Sequence, residues 1–278
     1  MSELNDLSRS LTSLEQDKTI IAVIEMSQSS WLVAAAAGFN GVEFLFPYDF
    51  VPAEIAARLK QHGLSQALFN LPPGDWASGE RGMAALPGRE SEFMAGLDHA
   101  LEFALATGCT RLHAMAGIWP AGANWREGAA VYVGNLQRAA DRVAAHGITV
   151  LIEPLNKRDN PGYFLNTTVE AAAILTEVGR DNVKLQLDLY HCQITEGDLT
   201  IHIRNLAGSY AHVQIAGVPD RLEPDHGEVN FAYALSVLDE IGYDGWVGCE
   251  YRPAAATSTG LGWAQRWGVQ PRSQPQSN

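Results

Sequence analysis

The sequence predicts an α/β fold, a (β/α)8 TIM barrel in a single domain, and three observations carry that prediction. Short apolar runs alternate with amphipathic helical stretches from end to end, the pattern of strand-helix units on a parallel sheet. About eight such units can be counted, the number a closed barrel needs, and a 278-residue chain is close to the roughly 250 that barrels take. Four runs, moreover, end on an oxygen-bearing side chain: Leu151-Ile152-Glu153-Pro154, Leu185-Gln186-Leu187-Asp188, His212-Val213-Gln214-Ile215 and Val247-Gly248-Cys249-Glu250. Strands normally exclude carboxylates, because burying an unpaired charge is costly. Repeating that expense at steps of 35, 26 and 36 residues points to something cationic at a common strand end. A doubly wound sheet is the competing architecture.

Taken in order, strands are expected at residues 19–25, 41–45, 65–70, 110–115, 149–153, 183–188, 209–215 and 245–250. Several are nearly continuous in Val, Ile, Leu and Phe, as strands covered on both faces are. A helix is expected over 89–107, with Phe93, Leu97, Leu101 and Leu105 at steps of four and Gly108 as its C-cap. Another spans 125–146, with Val131, Leu136 and Val143 among alanines before Gly147. A third, 168–178, starts on Thr168, whose hydroxyl can accept from the free N–H groups, and stops at Gly179. Gly38, Gly63, Gly108, Gly147, Gly179 and Gly242 each mark a turn from helix to strand. Two long loops, 71–88 after the third strand and 217–228 after the seventh, fall where barrel enzymes keep their chemistry. The barrel is expected over 18–263, with a weakly specified segment at 1–17 and a flexible Gln-, Pro- and Ser-rich tail at 264–278.

Lys+Arg of 19 against Asp+Glu of 32 gives a net charge of −13. Such a surface repels phosphate backbones, so no nucleic-acid partner is expected. A small anionic substrate would need a metal or arginines to hold it. The three cysteines, Cys109, Cys192 and Cys249, fit no zinc-ribbon or C-x-x-C spacing, and so small and odd a number suits a reducing compartment. The start, Met1-Ser2-Glu3-Leu4-Asn5-Asp6, lacks the basic and apolar regions of a signal peptide, and no apolar run approaches the ~20 residues of a membrane span. A cytoplasmic protein away from membranes is expected, with a homo-oligomer allowed for.

Glu153, Asp188, Gln214 and Glu250 are the candidate metal ligands. Any one alone reads as a helix cap or a buried ion pair; four at the same end of four strands do not. Three carboxylates and an amide oxygen make a hard site, suited to Mg²⁺, or Mn²⁺, rather than to zinc. His191, three residues after Asp188, could be a fifth ligand, bond the substrate, or be satisfied by backbone at a helix start. Glu153 and Glu250 could flank a small substrate, one removing a proton from carbon and the other returning it nearby, while a metal polarises the carbonyl.

Further substrate-binding candidates are Glu43, which faces the barrel interior or forms a buried ion pair, and Asn70 at the end of the third strand. His113 reads as a core polar residue or a hydrogen bonder. Arg81 and Arg221, one on each long loop, could meet a substrate carboxylate bidentately or lie solvated. No G-x-S-x-G elbow, Walker loop or G-x-G-x-x-G is found, and Lys184 begins a strand rather than ending one, where a Schiff-base lysine would stand.

Longer motifs add a resemblance. Gly41-Val42-Glu43-Phe44-Leu45-Phe46-Pro47-Tyr48-Asp49, the loop from Asn70 through Pro72-Pro73-Gly74-Asp75-Trp76 to Gly79-Glu80-Arg81-Gly82, Ile152-Glu153-Pro154-Leu155-Asn156, Gln186-Leu187-Asp188-Leu189-Tyr190-His191 and Gly245-Trp246-Val247-Gly248-Cys249-Glu250-Tyr251 are similar to the hydroxypyruvate isomerase family, a branch of the xylose-isomerase-like TIM barrels. The likeness runs over residues 38–263 or so. It implies that Glu153 and Glu250 are the proton donor and acceptor, and that they hold a divalent metal with Asp188 and Gln214, Mg²⁺ being usual. The implied reaction is that of an aldose-ketose-type isomerase in carbohydrate metabolism. It interconverts hydroxypyruvate and 2-hydroxy-3-oxopropanoate (tartronate semialdehyde) through an enediolate.

The same family contains 2-oxo-tetronate isomerases, and the same barrel carries sugar 3-epimerases and polyol dehydratases. An apurinic-site endonuclease would want imidazoles where Asn70 and Gln214 stand. A non-catalytic sensor would not keep all four ligand positions. Two places depart from the family pattern: Val23-Ile24-Glu25-Met26-Ser27, and the loop through Ala216-Gly217-Val218-Pro219 and Pro224-Asp225-His226-Gly227-Glu228.

Overall fold

The computed structural model describes residues 20–23, 38–255 and 260–270. The expected segment at 1–17, residues 24–27 of the first departure and residues 271–278 of the expected tail lie outside them.

Eight parallel strands close into a barrel in chain order. They are β1 Ile20–Val23, β2 Gly41–Phe44, β3 Ser65–Asn70, β4 Arg111–His113, β5 Thr149–Ile152, β6 Val183–Asp188, β7 Tyr210–Ile215 and β8 Val247–Cys249. β1 pairs with β8 through Ile20↔Val247, Ile21↔Gly248 and Ala22↔Cys249, which seals the sheet. Each strand falls inside its expected window. Among the described residues the helices are α1 Pro52–His62, α2 Glu90–Thr107, α3 Trp125–Val143, α4 Thr168–Val178, α5 Leu189–Thr195, α6 Leu199–Asn205 and α7 Phe231–Glu240. None is long and apolar enough to cross a membrane.

Three local details differ from the sequence reading. The helix expected over 125–146 ends as α-helix at Val143 and tightens into a 3-10 turn, Ala144–His146, before Gly147. The α4 cap is Thr167 rather than Thr168: its hydroxyl accepts from the Glu170 N–H while the Glu170 carboxylate accepts from the Thr167 N–H. Of residues 264–270, expected in a loose tail, Ala264, Trp267 and Val269 are buried. A 3-10 helix, Leu261–Trp267, buries Trp263 and Trp267 against each other and sets Trp263 against Phe39. Two tryptophans anchor more apolar area than the surrounding Gln and Pro residues suggest. The six glycines read as turns all have positive φ, from 58° to 98°, which an L side chain resists.

Side chains alternate across each strand. Outward ones, such as Phe44, Leu112, Ile152, Leu187, Val213 and Val247, merge with the helix faces into one apolar core. Inward ones are mostly polar: Glu43, Gln66, Asn70, His113, Gln186, His212 and Gln214 are all buried, with Leu68 and Leu151 the apolar members among them. The lumen therefore holds a polar stack leading up to the C-terminal mouth.

Candidate active site

A cavity of about 420 Å³ opens at the C-terminal ends of the strands. Of the nine residues singled out from sequence, eight line it: Glu43, Asn70, Arg81, Glu153, His191, Gln214, Arg221 and Glu250. Asp188 lies behind the wall, with its side chain 1% exposed. Among the ligand candidates Asp188 and Gln214 are register partners, and Gln214 pairs with Gly248, two residues before Glu250.

Each carboxylate has a distinct environment. Asp188 does both jobs that sequence left open. Its Oδ1 caps α5, accepting from the Tyr190 N–H at 2.7 Å and the His191 N–H at 3.4 Å, while Oδ2 lies 3.6 Å from His191 Nε2 and 3.9 Å from Arg221 Nη2. Glu250 Oε1 meets Arg221 Nη2 at 2.9 Å, and Oε2 accepts from Gln214 Nε2 at 3.0 Å. Glu153 Oε2 stands 3.6 Å from His113 Nδ1. Burial, then the charges of Asp188 and Glu250, push the Glu153 carboxyl well above the usual range. Burial also raises Asp188 and Glu250, with the Arg221 guanidinium opposing it in both. Burial thus favours the protonated form of each carboxyl, the direction that proton shuttling uses.

Arg221, at φ +57°, is wedged in rather than solvated: its Nε donates to the Glu250 carbonyl at 3.2 Å and its guanidinium sits 5.1 Å from the Tyr190 ring centre. Arg81 also reaches the cavity, stacked 3.7 Å over the Trp76 ring with Nη1 donating to the Glu80 carbonyl at 2.7 Å. The loop carrying it is tied down by Glu80, which accepts from Arg89 at 2.8 Å and from the Asp75 N–H at 2.6 Å.

The residues fit a divalent cation of the hard class. With all three carboxylates ionised, one guanidinium leaves two negative charges unanswered, and oxygens of Glu153 and Asp188 lie within 4.8 Å of each other. Gln214 alone needs adjustment. Its NH₂ faces Glu43 and Glu250, at 3.2 and 3.0 Å, and its Oε1 accepts from Gln186 Nε2 at 2.6 Å. To offer oxygen to a cation the amide must turn over, and the Gln186 Oε1, buried with no donor, is then available to a reversed pair.

Glu43 combines the two readings left open for it. It lines the cavity, and Oε2 is 2.9 Å from the buried His212 Nε2. Gly248 makes this possible, since a Cβ there would fall 1.7 Å from Glu43 Oε1. Asn70 Oδ1 lies 3.1 Å from His113 Nδ1, and burial, with His212 and His191 nearby, pushes His113 down to about 3, so it is neutral.

Sequence reasoning passed over the loop after β5. Asn156 is wholly buried, its N–H and Nδ2 both facing His191 Nδ1 at 3.2 and 2.7 Å. Asp159 lines the cavity, and its Oδ2 accepts from Tyr190 OH at 2.6 Å and Asn156 Nδ2 at 3.1 Å. The signal available was Asn156-Lys157-Arg158-Asp159, a polar run directly after an oxygen-bearing strand end. Gln186 and His212, on strands already identified, needed only the inward parity of Gln214 and Asp188 to be found.

The model of the xylose isomerase-like TIM barrel family matches residues 31–267, and the chain belongs to that family. It is 56% identical to a 2-oxo-tetronate isomerase of Cupriavidus necator, over 83% of this chain and 88% of that protein. It is 44% identical to a hydroxypyruvate isomerase of Escherichia coli, over 83% of this chain and 89% of that protein. A solved Brucella melitensis structure, described as an AP endonuclease of family 2, superposes with a TM-score of 0.87 at 52% identity, covering 90% of this chain and 99% of that one. The chain is an enzyme of the isomerase class.

Proposed function

We propose that this isomerase moves a proton between adjacent carbons of a small hydroxy-2-oxo acid, with Glu153 and Glu250 as the proton carriers. The observation that carries this reading is the pair itself: two carboxyls from β5 and β8 in one cavity wall, both raised by burial. One takes the proton from the carbon bearing the hydroxyl, leaving an enediolate. The other, protonated at the outset, delivers its own proton to the former carbonyl carbon, the hydroxyl proton crosses between the oxygens, and the two carboxyls, left with their protonation exchanged, are reset by proton exchange with solvent. Arg221 and Arg81 supply guanidinium groups for the substrate carboxylate. A divalent cation held by Glu153, Asp188, Gln214 and Glu250, Mg²⁺ or Mn²⁺, would polarise the carbonyl and acidify the neighbouring C–H.

A four-carbon 2-oxo-tetronate is the favoured substrate. The relative of that name is 56% identical against 44% for the hydroxypyruvate isomerase, and a 420 Å³ cavity is generous for three carbons. Interconversion of hydroxypyruvate and 2-hydroxy-3-oxopropanoate is the second reading, favoured by that 44% relative. Strand cleavage of nucleic acid is disfavoured by the charge of −13 and by Asn70 and Gln214 standing in the wall.

The test is proton NMR in D₂O with 2-oxo-tetronates and hydroxypyruvate, with and without Mg²⁺. Solvent deuterium should enter at the carbon beside the carbonyl, faster with the four-carbon acid. Conversion without deuterium entry speaks for hydride rather than proton transfer, and faster turnover of hydroxypyruvate reverses the substrate order.

A further inference from the structure

We infer that Asn156 is a positioning residue that fixes His191 as the tautomer with its proton on Nε2, so that this imidazole is a hydrogen-bond donor toward the reacting oxygens and not a metal ligand. The functional half of this inference rests on the isomerase reading above; the tautomer does not.

The argument runs through donors and acceptors alone. A backbone N–H can only donate, and that of Asn156 points at His191 Nδ1 from 3.2 Å. The Asn156 side chain reaches the same nitrogen with Nδ2 at 2.7 Å. That amide cannot be reversed, because Asp159 holds both its ends. Asn156 Oδ1 accepts from the Asp159 N–H at 2.8 Å, and Nδ2 donates to Asp159 Oδ2 at 3.1 Å. Turning it over would set donor against donor and oxygen against carboxylate. Asp159 is itself fastened, its Oδ2 accepting from Tyr190 OH at 2.6 Å, and Tyr190 OH in turn accepts from Arg158 Nη2 at 2.9 Å. His191 Nδ1 is therefore an acceptor, and in the neutral ring the proton sits on Nε2.

Nε2 is the nitrogen on the Asp188 side, 3.6 Å from its Oδ2. A protonated nitrogen has no lone pair for a cation, so the imidazole stands beside the carboxylates without joining the ligand set. It can instead donate to a substrate oxygen as negative charge develops there, a contact whose loss typically lowers kcat about 100-fold.

The experiment is ¹⁵N NMR of the full-length protein with labelled histidine, free and Mg²⁺-loaded, the His191 signals assigned by their loss in His191→Gln. The expected result is an unprotonated Nδ1 and a protonated Nε2 in both forms. In Asn156→Asp one oxygen can still accept from the Asp159 N–H, while the other, a charged acceptor in place of the 2.7 Å side-chain donor, faces Nδ1 and outcompetes the longer main-chain N–H contact at 3.2 Å. The proton should then move to Nδ1, with kcat falling about 100-fold and KM changing much less. A protonated Nδ1 in the wild type overturns the inference even if the variant does not fold. So does a folded Asn156→Asp that keeps its tautomer, or one that changes tautomer at unchanged kcat. If no hydroxy-oxo acid is turned over, the isomerase reading fails while the wild-type spectrum still decides the tautomer.

Discussion

The two faces of β7 obey different rules. Val213 and Ile215 point outward into the apolar core under the helices, whereas His212 and Gln214 point into the lumen. All four are buried, so burial does not distinguish them. The outward side needs only volume and apolarity, and any well-packed residue would serve. The inward side is a connected set of donors and acceptors running His212, Glu43, Gln214 and Glu250, with Gln186 on its flank. Among the described residues, the buried side-chain polar atoms without a partner are Glu43 Oε1, Gln66 Oε1, His113 Nε2, Gln186 Oε1 and His212 Nδ1, and every one belongs to inward positions. The jacket is built for packing, whereas the lumen is built around a connected set of polar groups.

Separating activity from stability would sharpen that contrast. The largest effect is expected inside: Glu250→Gln should lower kcat about 10³-fold with the urea midpoint near wild type, and near-normal turnover in steady-state assays would sink the two-carboxylate mechanism. Outside, Leu136→Ala, at a fully buried jacket position on α3, should cost about 3 kcal/mol of stability by urea titration and leave kcat/KM unchanged. His212→Ala lies between the two. It strips a buried carboxylate, Glu43, of its imidazole partner, so roughly 2 kcal/mol of stability and several-fold of kcat should go together. Loss of only one of these would mean that the lumen network is not coupled to the site.

The smallest effect belongs to the loop of 71–88. Arg89→Ala frees Glu80, and KM should rise a few-fold with under about 1 kcal/mol of stability lost. The Arg89 and Asp75 hydrogen bonds hold Glu80 below the usual carboxylate range. Its contribution is therefore complete above its unfolded pKa of about 4.3 and is lost as pH falls through the lower folded value. An acid titration of the Trp76 fluorescence should show that step in wild type and not in Arg89→Ala.

Much of this was legible in the sequence because period and punctuation are local. Alternating apolar runs and glycines such as Gly108 and Gly179 mark their own elements, and an oxygen at a strand end is conspicuous in any barrel. The misses share a cause as well. Thr167 was overlooked beside Thr168 because which hydroxyl caps a helix depends on the φ/ψ of the residue before it. Trp267 was expected in the tail because the ring it packs on, Trp263, reaches in turn to Phe39, more than two hundred residues away in the chain. Asn156 went unassigned because its significance lies wholly in what it faces.

By itself the sequence determined the barrel, the order of its strands and the set of oxygens gathered at its mouth, since these follow from side-chain period and from the cost of burying charge. Only the tertiary structure decided what each of those groups does. It gave Asp188 one oxygen for a helix cap and the other for the site, turned the Gln214 amide toward Glu43 and Glu250, seated Arg221 against Glu250, and set Asn156 behind His191. A hydrogen bond is short and directional, so donors and acceptors are assigned only when residues far apart in the chain are brought within about 3 Å.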